Sequence, residues 1–426
     1  MIVAVLMALQ VASTDSLPTV TLAEALSRGA SLDPNYVRAI GQRNDAEWSR
    51  RAALSALVLP SITLSTDYQL YSRDIFNIGT SNLASTITTA RADARYEIFA
   101  GGRKLAELSR SRAELEGTQA NEVQAHFAAA LLIESNYYDV LSGRELLDVA
   151  RAQLQRSQEG LAAARARVVS GAAVQTDSLQ FILDRDQARV NVLRVEAALQ
   201  ISRLQLGRRI GQPGGANAAA LDTLPARELP YTLPQAVQLA LEQGPAWKIS
   251  RANERAAEAS LRARKAAYIP SIVLSGNGTI FDATWPPSGL SRASFTVGVS
   301  WPIWDNFQRE LGISRARSTH EVARAVREDL ERAAESDVTA AYTTYTTARA
   351  VLDISRVAVV VARENYRVQQ TRYRAGATTI LDLLEAQNRL TEAEAGVVRS
   401  QYAARLSVAG LEAILGRRLF SDKDQP

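Results

Sequence analysis

The sequence predicts a mainly α-helical chain that also contributes strands to a transmembrane β-barrel, built as a duplicated helix–β-hairpin–long helix–helix unit. Three observations carry that expectation. The stretches Gly102 to Val169 and Gln308 to Ala375 contain no proline and are rich in Ala, Arg, Leu, Glu and Gln, the composition of long helices and coiled coils. The stretches after Pro60 and Pro270 exchange that texture for alternation of apolar and polar residues, the period of a strand. The order of landmarks in the first half returns in the second, which marks an internal duplication.

Composition narrows the function classes. The 426 residues carry a formal net charge of only +4, with Arg and Glu interspersed along the helical stretches. Such interspersion reads as a solvated coiled-coil surface, and no nucleic-acid partner is expected. The absence of cysteine excludes disulfides, thiol catalysis, Cys-based metal sites and a lipid-anchored N-terminal cysteine. Ile2 to Ala12 is apolar and too short to span a bilayer; residues 1–16 are expected to be a signal or leader remnant, with small residues at Ala12 and Ser13. No later segment offers the roughly 20 uninterrupted apolar residues of a membrane helix, so any membrane crossing must be made by strands.

The repeats are expected at 17–211 and 231–418, joined by a Gly-, Pro- and Ala-rich linker at 212–230 and followed by a short tail at 419–426. Thr21 to Leu26 opens a short helix, and Asp33-Pro34 starts the next, running to about Leu59; Thr232 to Val237 and Pro245 are their echoes. Pro60-Ser61-Ile62 returns as Pro270-Ser271-Ile272, Ile98-Phe99 as Ile303-Trp304, and Leu206-Gly207-Arg208-Arg209 as Leu415-Gly416-Arg417-Arg418.

Strands are predicted at about 61–72 and 87–99 in the first repeat and at about 271–281 and 292–303 in the second. In the first hairpin Ile62, Leu64, Tyr68 and Leu70 oppose Thr63, Ser65, Asp67 and Gln69, and Ala90 to Ile98 alternate with Arg91, Asp93, Arg95 and Glu97. Arg73 to Ser85 reads as the connecting loop. In the second, Phe295, Val297, Val299, Trp301 and Ile303 alternate with Ser294, Thr296 and Ser300. Strands of about 10 residues with one apolar and one polar face suit lipid on one side and water on the other. Four strands cannot close a barrel, and an open edge in lipid leaves backbone groups unsatisfied. Two, three or four chains would give 8, 12 or 16 strands; twelve is the smallest of these with an aqueous lumen.

Each long helix is about 100 Å at full extent and must pack against other rods. It ends at a tip, at about 170–178 and 374–385, where Gly171 and Gly376 can take the left-handed conformation that stops a helix. Thr378 and Thr379 can cap the returning helix, and Asp382 and Glu385 lie in its opening turns, where an acid favours the helix N-terminus. Asp177 stands at the same distance from Gly171 as Asp382 from Gly376.

The duplicated order, the Phe99-Ala100-Gly101-Gly102-Arg103 run after the second strand, and the tip from Tyr373 through Glu385 resemble the TolC family of outer-membrane efflux proteins, from about Thr21 to Arg418. The resemblance implies a homotrimer with a twelve-stranded barrel among outer-membrane lipids, continued through the periplasm by an α-helical coiled-coil tunnel. It implies a passive channel of a tripartite efflux or type I secretion system. Such a channel is coupled to an inner-membrane pump or ABC transporter through a periplasmic adaptor protein. By position in the motif, Asp382 and Glu385 match an acidic ring at the periplasmic entrance. Asp177 and Tyr373 match residues that hold the entrance constricted. Thr378 stands where the family often has arginine, and Arg374 is near enough to substitute. The tip turns at Gly171 and Gly376 would meet the adaptor.

The competing reading is a non-channel periplasmic coiled-coil adaptor or scaffold. An adaptor has no need of strands with a lipid-facing surface. No Ser/His/Asp order, phosphate loop or metal spacing stands out, so neither enzyme activity nor a cofactor or metal is expected. His126 and His320 read as packing or surface residues.

Overall fold

The computed structural model describes residues 17–77, 80–221 and 228–420. Met1 to Ser16, where the leader is expected, and most of the 419–426 tail lie outside them. The elements follow in chain order as β1 (Thr19–Val20), α1 (Leu22–Leu32), α2 (Pro34–Val58), β2 (Ser61–Asn77), β3 (Asn82–Ala100), α3 (Arg103–Val169), α4 (Gln175–Arg209) and β4 (Asn217–Ala218). The second half adds α5 (Leu233–Gln243), α6 (Pro245–Lys265), β5 (Ser271–Asp282), β6 (Leu290–Ser300), α7 (Gln308–Arg374) and α8 (Ile380–Leu415). Both α3 and α7 have 67 residues, and no helix among the described residues is long and apolar enough to cross a membrane.

The chain divides into two compact units, one made of residues 39–122 and 241–334, the other of 1–38, 123–240 and 335–426. The first holds an open antiparallel sheet in the order β2-β3-β5-β6, so the two hairpins pair through β3 and β5 and leave β2 and β6 as edges. Alternation explains its faces. Ile62, Ala94, Gly276 and Phe295 form one directly paired row on the apolar face, and Thr63, Asp93, Asn277 and Ser294 form one on the polar face. Much of the apolar face is left bare: Leu64 is 81% exposed and Phe295 70%.

The hairpins differ from the sequence expectation in length. Rather than a loop from Arg73 to Ser85, pairing resumes beyond an irregularity between Leu70 and Ile75 and continues to Asn77 opposite Asn82. The strands therefore have 17 and 19 residues, because backbone pairing needs no apolar alternation. β6 stops at Ser300, short of the expected Ile303.

Below the sheet, the chain reverses from β3 into α3 through Gly101 and Gly102, at φ +59° and +88°. A Cβ at Gly101 would lie 2.6 Å from the Ala266 carbonyl oxygen, so the glycine is required both for its backbone conformation and for space. In the second repeat Asn306 and Phe307 take the left-handed conformation at the equivalent turn without glycine. Arg103 closes the first turn by bonding Glu97 at 2.5 Å and Glu107 at 2.7 Å.

The other unit is organised by α3, α4 and α8. Its core includes Ile133, Tyr137, Val140, Leu199, Leu206 and Tyr402. β4, within the stretch expected to be linker, forms a two-residue parallel pair with β1. Tyr137 ties this pair down, its hydroxyl donating to the Ala219 carbonyl at 2.8 Å, while Arg144 donates to that of Ala218 at 3.0 Å. The Leu-Gly-Arg-Arg landmarks also acquire a role. Arg209 reaches the buried carboxylate of Asp33 at 3.5 Å, and Arg418 reaches that of Glu134 at 2.7 Å.

Candidate functional site: the paired helix-hairpin tips

Both tips end their long helix in the same way. The amide of Gly376 donates to the Tyr373 carbonyl at 3.0 Å and that of Ala377 to Arg372 at 2.8 Å; Gly171 and Ala172 repeat this with Val168 at 3.1 Å and Arg167 at 2.8 Å. This pair of bonds satisfies carbonyls that the helix end would leave open, and it requires a left-handed residue between them. Gly376 and Gly171 supply it at φ +76° and +73°. Four residues before each glycine stands an arginine that donates to its own tip, Arg167 to Ala172 at 3.1 Å and Arg372 to Ala377 at 3.4 Å.

The returning helices start differently. Thr379 caps α8: its hydroxyl accepts from the Asp382 amide at 3.3 Å, and the Asp382 carboxylate accepts from the Thr379 amide at 3.2 Å, a complete capping box. The same carboxylate oxygen accepts from the hydroxyls of Thr379 at 2.7 Å and Thr378 at 2.9 Å. These bonds, the Thr379 hydroxyl foremost, hold Asp382 below the usual carboxylate range. In α4 the cap position is Val174, which offers no hydroxyl. Asp177 is thereby left free to face the other tip, where its Oδ2 lies 3.5 Å from the Tyr373 hydroxyl.

Tyr373 is the hub between the hairpins. It is 2% exposed and packs edge-on against Phe181, with ring centroids 6.0 Å apart, in a cluster with Leu161, Leu383 and Leu384. Burial, with the Asp177 charge behind it, pushes its phenol up. Arg167 lies over the Tyr373 ring at 4.6 Å and donates to the Tyr373 carbonyl. The structure thus brings together Asp177, Tyr373 and both glycine turns. It does not bring in Thr378, whose hydroxyl stays on Asp382 within its own hairpin, nor Arg374, which is exposed and makes no ion pair or hydrogen bond among the described residues. Glu385 is exposed and bonds Arg389 at 2.7 Å one turn along, a surface pair of small energetic weight. Asp382 and Glu385, three residues apart, share one exposed helix face.

Two further polar layers tie the hairpins together. Gln387 is buried and donates to the Ser157 hydroxyl and to Asp184 Oδ2, each at 2.9 Å, while Ser157 donates to the same carboxylate oxygen at 2.5 Å. Arg156 then meets Glu394 and the Thr391 hydroxyl, both at 3.1 Å. Sequence reasoning missed Arg167, Ser157, Asp184 and Gln387. Gln387 carries a signal, since it interrupts the apolar stripe of Leu383, Leu384 and Leu390.

The chain belongs to the outer membrane efflux protein family, which matches residues 35–212 and 236–417. It is an outer-membrane efflux protein rather than a member of an enzyme family. It is 25% identical to the pyoverdine export outer membrane protein OpmQ of Pseudomonas putida, over 80% of this chain and 73% of that one. It is 23% identical to the outer membrane protein TolC of Vibrio cholerae, over 93% of this chain and 90% of the relative. In fold it is similar to the outer membrane protein VceC of Vibrio cholerae, with TM-score 0.78, 16% identity and coverage of 94% and 97%. It is likewise similar to the CmeC outer membrane channel of Campylobacter jejuni, with TM-score 0.79, 13% identity and coverage of 95% and 88%.

Proposed function

We propose that three copies of this chain close one twelve-stranded barrel in the outer membrane, continued by a tunnel of α3, α4, α7 and α8. This assembly serves as the passive exit duct of a tripartite efflux or type I secretion system. The observation that carries the reading is the open four-stranded sheet with a bare apolar face and two unpaired edges. In lipid those edges must pair, and copies of the same sheet are the available partners.

The helices support the same closure. α3 contacts α4 through Arg151 and Glu196 and α8 through Arg156 and Glu394, and α7 contacts α8 through Arg363 and Glu394. α4 and α7 each keep an exposed apolar stripe, Leu179, Leu183, Val190 and Leu193 on one, Ile354, Val357 and Val361 on the other. Joining α4 of one copy to α7 of the next covers both stripes and closes the tunnel. The tips would then surround its entrance. Asp382 and Glu385 would line it, Asp177 and Tyr373 would hold the two hairpins together, and the Gly171 and Gly376 turns would face a periplasmic adaptor that brings the inner-membrane pump or ABC transporter.

Native mass spectrometry of the membrane-extracted protein should give a homotrimer. A monomer found free in the periplasm would sink the channel in favour of an adaptor or scaffold.

The entrance has its own test. Asp382→Ala with Glu385→Ala should lower cation selectivity in planar bilayers and weaken block by divalent and trivalent cations, with the fold intact. The share of that selectivity owed to Asp382 should persist in mild acid, because bonds from Thr379 and Thr378 hold its carboxylate below the usual range, and should fade as the pH drops through that depressed value. Unchanged selectivity in the double variant would reduce both acids to helix-end residues.

A further inference from the structure

Residues paired directly across strands present their side chains to the same face of a sheet. The register therefore sorts the polar face into rows. Ser65, Arg91, Thr279 and Arg292 form one; Thr63, Asp93, Asn277 and Ser294 form the next toward the helices; Ser61, Arg95, Ser275 and Thr296 form the third. The Asn277 amide donates to Asp93 Oδ1 at 2.5 Å, as a shared face requires. On the far side of the first row lies Asp67, opposite Thr89.

This face thus carries Arg91, Arg95 and Arg292 against Asp93 and Asp67, while Glu97, one row nearer the helices, is taken by Arg103 at 2.5 Å. All three arginines are exposed, and among the described residues none of their side chains makes an ion pair or hydrogen bond. The row that holds Arg91 and Arg292 contains no acid. The two stand two strands apart, about 10 Å between backbones. Flexible side chains at that spacing can converge on one oxyanion or reach separate groups of one polyanion.

We propose that these three arginines form an anion-binding band inside the barrel, suited to polyvalent anions, solutes with clustered phosphate, sulfonate or carboxylate groups. The inference rests on the reading of the polar face as the channel lumen. Each copy adds a surplus of positive charge to the same stretch of wall. Low-dielectric walls focus such a field, and the guanidinium fork matches two oxygens of an oxyanion. The band is opposite in sign to the acids at the tips, so anions gather at the barrel and cations at the entrance.

The test is single-channel recording of the full-length protein with tripolyphosphate as the probe, added to the barrel-mouth side. Wild type should be blocked from that side. Arg91→Gln/Arg95→Gln/Arg292→Gln should raise the half-blocking concentration about tenfold or more, and raising the salt should do the same to wild type. The triple Lys variant, which keeps the charges, should still be blocked, and Asp382→Ala/Glu385→Ala should leave barrel-side block unchanged. Absence of barrel-side block in wild type overturns the band without recourse to any variant, as does equal block in the triple Gln variant. A protein that forms no conducting trimer overturns the channel reading instead.

Discussion

Val297→Arg should abolish or sharply reduce assembly in the outer membrane, while Thr296→Arg next to it should be tolerated. Val297 pairs with Leu274 on the apolar face, is 60% exposed, and would face hydrocarbon in a closed barrel. An arginine there costs about 2–4 kcal/mol near the midplane. Three copies would each bear that cost in one trimer. Thr296 pairs with Ser275 on the opposite face, where water solvates a guanidinium. Its added charge meets Arg95 in the same row, two strands away, a repulsion that salt largely screens. The measurement is the fraction of each variant recovered as trimer from the outer membrane. Equal losses would mean that the faces of the sheet are wrongly assigned.

How legible each part was depended on how local its cause is. The bounds of α3 and α7 could be read because an unbroken run without proline has few alternatives to helix, and the glycines that stop it act through their own backbone. The capping box at Thr379 and Asp382 is equally local. The first hairpin is longer than its alternation suggests: Ser72, Arg73 and Asp74 look like loop residues, and they do form an irregularity, but pairing resumes beyond them at Ile75. β1 and β4 are two residues each and have no periodicity to detect. Within the tips, the residue types were visible but their partners were not. The bond from Tyr373 to Asp177 spans 196 residues and that from Gln387 to Ser157 spans 230, so only the fold can say which polar residue on one helix face meets which on another. The divergence between Val174 and Thr379 is instructive. One missing hydroxyl leaves Asp177 free for Tyr373, whereas its counterpart Asp382 is held by its own cap.

Replacing Arg418 should unfold the protein far more readily at high pH than at low pH. The turn after α8 begins at Gly416, whose left-handed backbone sends the chain back so that Arg418 meets two carboxylates at once. Its Nη1 lies 2.7 Å from Glu134 and 2.6 Å from Glu412, and both glutamate side chains are only 5% exposed. The amide of Leu419 adds a bond to Glu412 at 2.8 Å. Arg418→Met keeps much of the side-chain volume but leaves two buried carboxylates facing each other. The cost should be about 3 kcal/mol, toward the lower end for a broken buried pair because water still reaches the guanidinium in wild type. Burial already pushes Glu134 up in the native protein, with Arg418 opposing it. Without Arg418 it must rise further. An acid whose folded value is raised above its unfolded value contributes stability that is full below the unfolded value and is lost as pH climbs through the folded one. The deficit of the variant should therefore be large at about pH 8 and shrink on acidification. Adding Glu134→Gln and Glu412→Gln to the variant should restore much of the stability and flatten its pH dependence, since neutral amides remove the unpaired charge. Thermal unfolding in detergent, followed by circular dichroism across that pH range, gives the answer. A deficit that stays constant with pH would assign the role of Arg418 to its packing over the Phe127 ring, 5.9 Å away, and not to the two carboxylates.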